Sequence, residues 1–315
     1  MNTLAVITNL GSTRNLRGDN WIDPLLEGEA DLVHFKIERA EDVADTVRRA
    51  AEAGAGTIIV NGGDGTADLV FAALLNGGAY STLPALALLP AGKTNMTAAD
   101  WSLTGTPEAA LKAVLRSRRE GTLARHVITR PVLRLRQSPD TPPLYGAFFG
   151  AAELVESIHF CRKHIYPLKM PNVVSHFAAL MVLLWRGLRV NAGRGNVTVL
   201  DGVRVVESGN FLVIGISALD EHLLGIRPMP QKSATNAPLY YFSLRKGVWT
   251  IFGALIDFTQ SRLTRGAGRT VLHVSQLTLR FTGAYTLDGE LYEARVDQPL
   301  VIDGSQQLNF LRIPL

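Results

Sequence analysis

Along the first 121 residues, solid apolar runs alternate with stretches whose apolar positions recur at helical spacing. Leu4–Thr8, Asp31–Ile37, Thr57–Val60 and Ala85–Leu89 have the length and composition of short buried strands. Between them, Glu41–Gly54 puts Val43, Val47, Ala50 and Ala51 on one helical face and ends on a glycine stop. Helices over Ala67–Leu75, near Met96 and over Pro107–Arg119 complete a β-α-β-α order. That order predicts a parallel sheet with helices on its faces.

Beyond residue 122 the pattern changes. Val132, Leu133 and Leu135 alternate in part with Arg134 and Arg136, and Val197–Leu200, Asp201-Gly202 and Val203–Val206 read as a hairpin with an Asp-Gly turn. Phe211–Ile216, Leu239–Leu244, Val271–Phe281 and the region of Asp288-Gly289 continue the strand signal. Helical segments near Ala151–His164, Val173–Leu188 and Val248–Phe258 interrupt it. The predicted fold class is an α/β N-terminal domain with a parallel sheet, followed by a C-terminal, mostly antiparallel β-sandwich.

Composition supports a large core, with 47% hydrophobic and 19% charged residues in 315. One cysteine, Cys161, excludes an internal disulfide framework and suits a reducing compartment. No secretory signal is expected, because no early basic region precedes an apolar core and a small-residue cleavage site. The most apolar run, Val173–Trp185, is interrupted by His176 and falls short of the roughly 18 residues that a membrane span needs. A soluble, cytoplasmic protein is expected.

The net charge of +4 conceals an asymmetry that changes the picture. Residues 1–111 hold 7 Lys/Arg against 14 Asp/Glu, whereas residues 157–287 hold 15 against 5. A basic half joined to an acidic half points to an anionic partner for the former. The basic residues are interleaved with large apolar ones and no nucleic-acid-binding motif occurs, so a membrane surface is favoured over nucleic acid. A solvated basic face without a partner is the plainer alternative. Val173–Trp185 beside Arg186 and Arg189 fits either a lipid-facing segment or a buried core helix.

The strongest local signal is Asn61-Gly62-Gly63-Asp64-Gly65-Thr66, between the strand ending at Val60 and an apolar helix. Glycines at 62, 63 and 65 would admit positive φ and bring backbone N–H groups close to an anion. A helix starting at Thr66 would add partial positive charge for phosphate. Asp64 could bind magnesium or orient a phosphate-bearing ligand. The next strand leads into Pro90-Ala91-Gly92-Lys93-Thr94-Asn95, at the same carboxyl edge of the sheet, where open α/β sheets bind ligands. A Walker site is rejected, since Ala87 stands where its first glycine would fall. His159 and His164 lack metal-ligand spacing, and no G-x-S-x-G elbow occurs.

"NGGDGT" followed by "LPAGKTN", with "LDGE" at Leu287–Glu290, resembles the diacylglycerol kinase, sphingosine kinase and ceramide kinase superfamily. The resemblance implies a nucleotide-binding domain over 1–121, rejoined by a returning segment 300–315, and a lipid-binding β-sandwich over 122–299. It implies that Asn61, Gly62, Gly63, Asp64, Gly65 and Thr66 hold ATP phosphates and Mg²⁺, and that Gly92, Lys93, Thr94 and Asn95 line the nucleotide. Asp288 would be the general base for a lipid hydroxyl, and Glu290 would assist in metal binding or orientation. Asp64 is the alternative proton acceptor, and Asp288-Gly289 equally fits a hairpin turn, as do Asp201-Gly202 and Asp303-Gly304.

Lys93 and Met96 depart from the threonine and aspartate usual in that family. The stretch Pro228–Ala237 lacks the acidic pair of a structural magnesium site, so none is expected there. The expected activity is transfer of the ATP γ-phosphoryl group to a diacylglycerol, ceramide or sphingoid lipid by a peripheral enzyme on the anionic cytoplasmic membrane surface. A non-catalytic lipid or nucleotide sensor and a kinase for a soluble substrate such as NAD are the alternatives.

Overall fold

The structure, a computed structural model, describes residues 3–18, 20–155, 196–221, 227–229 and 237–314. The readings on Val173–Leu188, on most of Ala151–His164 with Cys161, and on the Pro228–Ala237 stretch past Met229 lie outside those residues. The chain forms two compact units, Met1–Arg130 with Gln307–Leu315, and Pro131–Gln306.

The first unit carries strands β1 (Thr3–Asn9), β2 (Leu32–Ile37), β3 (Ala55–Gly62) and β4 (Ala85–Pro90). Its helices are α1 (Asp23–Leu26), α2 (Asp42–Glu52), α3 (Asp64–Gly77), α4 (Met96–Trp101) and α5 (Pro107–Arg119). The strands run parallel in the order β2-β1-β3-β4, as the β-α-β-α pattern predicts. Residues of both alternating sets are buried, Leu4, Val6 and Ile59 on one side and Ala5, Ile7 and Ile58 on the other. Burial on both faces explains why these strands read as unbroken apolar runs. Leu4, Val6, Ile59, Ala87 and Leu89 pack with Leu111, Val114 and Leu115 of α5. That helix starts cleanly because Thr106 Oγ1 accepts the Ala109 N–H at 3.2 Å and Pro107 needs no partner.

The C-terminal strand returns to this sheet, pairing Asn309 and Phe310 in parallel with Ala85 and Leu86. Phe310 packs its ring against Phe71 of α3 and Trp101 of α4, at centroid distances of 5.7 and 5.1 Å. Ser102 completes the seam, accepting the Leu88 N–H and donating to the Leu311 carbonyl, each at 2.9 Å.

The second unit takes up the chain within β5 (Val127–Arg136) and continues through β6 (Leu144–Gly146), β7 (Phe148–Ala151), β8 (Val197–Asp201), β9 (Arg204–Gly209) and β10 (Phe211–Ser217). After β11 (Arg227–Met229) and β12 (Leu239–Arg245) come α6 (Val248–Thr259) and β13 (Arg262–Thr264). The chain ends with β14 (Arg269–Val274), β15 (Gln276–Arg280), β16 (Gly283–Leu287), β17 (Glu290–Ala294) and β18 (Leu300–Leu311), whose last residues are those in the first unit. One antiparallel set runs β18-β15-β8-β9, and another runs β14-β12-β10-β7-β16-β17. Glu207 of β9 joins the two, accepting from Tyr241 Oη at 3.0 Å, from Ser243 Oγ at 2.6 Å and from Thr270 Oγ1.

Two sequence readings need correction here. Val271–Phe281 is not one strand. It breaks at Ser275, so that β14 pairs with β12 while β15 pairs with β18 and β8. Asp303-Gly304 is no turn either, but lies inside β18. Asp303 is buried there, with its carboxylate 3.0 Å from Arg134 Nη2 and 3.6 Å from Arg136. Gly304 is needed because a β-carbon would press on Pro238 at 2.8 Å. By contrast, Asp201-Gly202 does turn the β8–β9 hairpin, with Gly202 at φ 58°.

Candidate active site

Within the first unit, the loops at the carboxyl ends of β1, β3 and β4 are tied to one another. The first runs from Asn9 to Asn15. Asn9 Nδ2 donates to Thr66 Oγ1 at 2.8 Å, and the Arg14 N–H donates to the Ala91 carbonyl at 3.0 Å. Asn15 Nδ2 donates to the Asn9 carbonyl at 2.7 Å and to Ser12 Oγ at 2.9 Å. Its Oδ1 accepts from Asn61 Nδ2 at 3.3 Å and from Trp21 Nε1 at 3.2 Å. Sequence reasoning missed Asn9 and Asn15. Their place at the end of β1, on the same sheet edge as the glycine loops, is the signal that would have found them.

The glycines of the second loop serve a different purpose from the one first read. None of Gly62, Gly63 and Gly65 has positive φ. Gly62 is required because a β-carbon there would stand 2.6 Å from Thr66 Cβ. Gly63 and Gly92 meet backbone to backbone, and a β-carbon on Gly92 would lie 2.5 Å from Gly63 Cα. Close approach of the two loops therefore excludes any side chain at either position. The helix also begins earlier than the sequence suggested, at Asp64 rather than Thr66, with Gly63 as its extended N-cap.

Asp64 spans that junction. Its Oδ2 accepts the Met96 N–H at 3.3 Å and its Oδ1 the Thr97 N–H at 3.2 Å, so it caps α4 from across the loops. Burial pushes its pKa above the ordinary carboxylate value, with the Thr97 and Met96 amides acting in the opposite direction. Asn95 sits at φ 55° and closes its own loop, accepting the Gly92 N–H at 2.7 Å and donating to the Gly92 carbonyl at 3.0 Å. Lys93 and Thr94 are exposed at the tip. The residues from Asn61 to Thr66 and from Gly92 to Asn95 are thus gathered at one edge of one unit.

Asp288 and Glu290 lie in the second unit, beside each other on the β16–β17 hairpin. Asp288-Gly289 is the turn, with φ of 47° and 93°, as a two-residue type I′ connection requires. The carboxylate nevertheless does more than turn a chain. Its Oδ2 accepts the Ala147 N–H at 2.6 Å and its Oδ1 the Phe148 N–H at 3.0 Å, while the Asp288 N–H donates to the Phe148 carbonyl at 2.9 Å. Ala147 is where the chain leaves the β5–β6 ladder and enters β7, so the aspartate secures the point at which it changes sheets. Glu290 is exposed at the start of β17.

A magnesium ion that travels with a nucleotide takes most of its ligands from phosphate and water, and needs only one or two carboxylates. Asp64 suits that demand, since each of its oxygens keeps acceptor capacity beyond one amide bond. Among the described residues no cluster of three or more His, Cys, Asp or Glu could hold a metal alone.

A parallel sheet with interlocked glycine loops at its carboxyl edge has the form of a ligand site of an open α/β fold, and comparison with known proteins points to a kinase-type fold. Residues 3–124 match the diacylglycerol kinase catalytic domain. The match covers most of the first unit and supports a kinase-type catalytic fold there. The chain's fold is similar to that of a Bacillus anthracis str. Sterne protein assigned as a diacylglycerol kinase, at TM-score 0.70 and 16% identity over 99% of this chain and 98% of that one. A second diacylglycerol kinase structure from that organism gives 0.64 at 14%, covering 99% and 97%. Yeast NADH kinase in complex with NADH gives 0.52 at 10%, covering 99% and 84%. No curated protein matches the sequence.

Proposed function

We propose that this protein is a magnesium- and ATP-dependent kinase for a hydroxyl of a membrane lipid, of the diacylglycerol, ceramide or sphingoid type. Phosphoryl transfer needs positioned phosphates, neutralised charge and a group that takes the attacking hydroxyl's proton. The α3 N-terminus and the Gly63–Gly92 contact supply a backbone cradle for phosphates, with Lys93 as a point charge beside it. Asp64 is the carboxylate in the first unit that would serve magnesium, which supplies charge neutralisation when bound.

Asp288 is the proposed proton acceptor. The observation that carries this role is its anchorage by two backbone amides, which fixes the orientation of the carboxylate. The catalytic-domain match over residues 3–124 and the basic second unit support a lipid as acceptor. The likeness to yeast NADH kinase supports NAD as a second reading, on fold alone.

The test is phosphate transfer from labelled ATP with Mg²⁺ to diacylglycerol, ceramide, sphingosine and NAD, each offered separately in mixed micelles. One labelled lipid would establish class and acceptor together. Labelled NAD alone would replace the lipid reading, and no product from any of the four would favour a sensor.

A further inference from the structure

Helix α6 has two faces of opposite use. Ile251 packs into a core with Leu212, Val213, Phe242, Leu244 and Val271. Asp257, also on the inner face, is buried and clasps the neighbouring chain. Its carboxylate accepts the Thr264 N–H at 2.7 Å and pairs with Arg269 Nη1 at 2.8 Å. Those contacts fix the rotation of the helix. The opposite face carries Val248, Trp249, Phe252, Leu255 and Ile256, at positions i, i+1, i+4, i+7 and i+8, which form one stripe. All five are exposed, Trp249 at 79% and Phe252 at 58%. An apolar stripe of this size, locked outward, marks a contact surface.

Its surroundings identify the occupant. Residues 245–269 hold Arg245, Lys246, Arg262, Arg265 and Arg269 against one carboxylate, the inward-facing Asp257. Arg262 and Arg265, just past the helix, are exposed. An amphipathic helix with an exposed indole and flanking arginines has the composition that settles at an anionic lipid interface. Twelve residues span only about 18 Å, too short to cross a bilayer, so such a helix lies on it.

We infer that the outer face of α6, with Arg262 and Arg265, is the surface by which this protein docks on an anionic phospholipid bilayer. The inference takes its occupant from the lipid-kinase reading and adds the place of contact. It is tested without ATP, by co-sedimentation of the full chain with vesicles of phosphatidylcholine alone or mixed with phosphatidylglycerol. Wild-type protein is expected to bind the mixed vesicles, and W249S/F252S and R262E/R265E each to weaken that binding by about tenfold or more. Unchanged melting temperatures would show that both variants are folded. Equal binding by wild type and both folded variants would overturn the proposal. So would a wild-type dimer that W249S/F252S dissociates, which would assign the face to a second copy. If the variants lose vesicle binding while the acceptor panel gives no product, the docking surface stands and the kinase reading falls.

Discussion

Gly146 and the Asp288 carboxylate occupy the same space, since a β-carbon on Gly146 would stand 2.1 Å from Asp288 Oδ2. The strand that leads up to the sheet change is thus shaped around the side chain proposed to accept the proton. Gly146→Ala is expected to cost about 1–3 kcal/mol in stability and to reduce kcat by about tenfold or more without raising the KM for ATP. In an Asp288→Ala background the same substitution should cost less, and the relief will be partial because Leu287 also lies 3.0 Å away. A double-mutant cycle by denaturant unfolding measures this coupling, and strict additivity would deny it.

The contact between Gly63 and Gly92 gives a second expectation. Gly92→Ala drives a methyl group against Gly63 Cα at 2.5 Å and Asn95 Oδ1 at 2.9 Å, so ATP affinity should fall by about tenfold or more. Gly77→Ala, at the end of α3 with nothing within 4 Å of the added carbon, is the matched control. It should leave ATP binding intact and stabilise by about 0.5 kcal/mol. Isothermal titration with a non-hydrolysable ATP analogue separates the two.

Asp303 makes stability depend on pH. Burial alone would raise its pKa, but the Ser305 N–H and the Arg134 guanidinium outweigh that and hold it below the ordinary 3.8. A lowered folded pKa means stability that is present above the unfolded value and lost as pH falls through the folded one. Asp303→Asn should therefore destabilise by about 2–3 kcal/mol at neutral pH, where it strands Arg134, and by progressively less as pH drops below 3.8. Melting curves of both proteins across that range check the convergence.

Much of the first unit was legible because a parallel strand buried on both faces writes itself as a solid apolar run, as at Thr57–Val60. The two glycine loops were legible as positions but not in their physics. Positive φ was the natural reading of Gly62 and Gly63, whereas the actual constraint is a side chain and a loop distant in sequence, Thr66 being near but Gly92 far. Asp303-Gly304 reads like Asp288-Gly289 because local chemistry does not reveal that Arg134 awaits the first aspartate and two backbone amides the second. The α6 stripe could not be read at all, since an apolar helix in sequence is ordinarily a core helix and only the packing of Ile251 and Asp257 shows which face is spare.

The interlock of Asn9 with Thr66 ties the β1 loop to the proposed phosphate cradle. Asn9→Ala should raise the KM for ATP several-fold through loss of one partly buried hydrogen bond of about 1 kcal/mol, with the KM for the acceptor unchanged. Steady-state kinetics varying one substrate at a time reports the split.

The proton-accepting role of Asp288 is tested most directly by single-turnover phosphate transfer from labelled ATP to the lipid acceptor, comparing wild type with Asp288→Asn and Asp64→Asn. Both variants are expected to fold, to give melting temperatures that confirm it, and to lose about a hundredfold or more in rate. Near-normal transfer by a folded Asp288→Asn enzyme would contradict the assignment. Near-normal transfer by both variants would remove the mechanism.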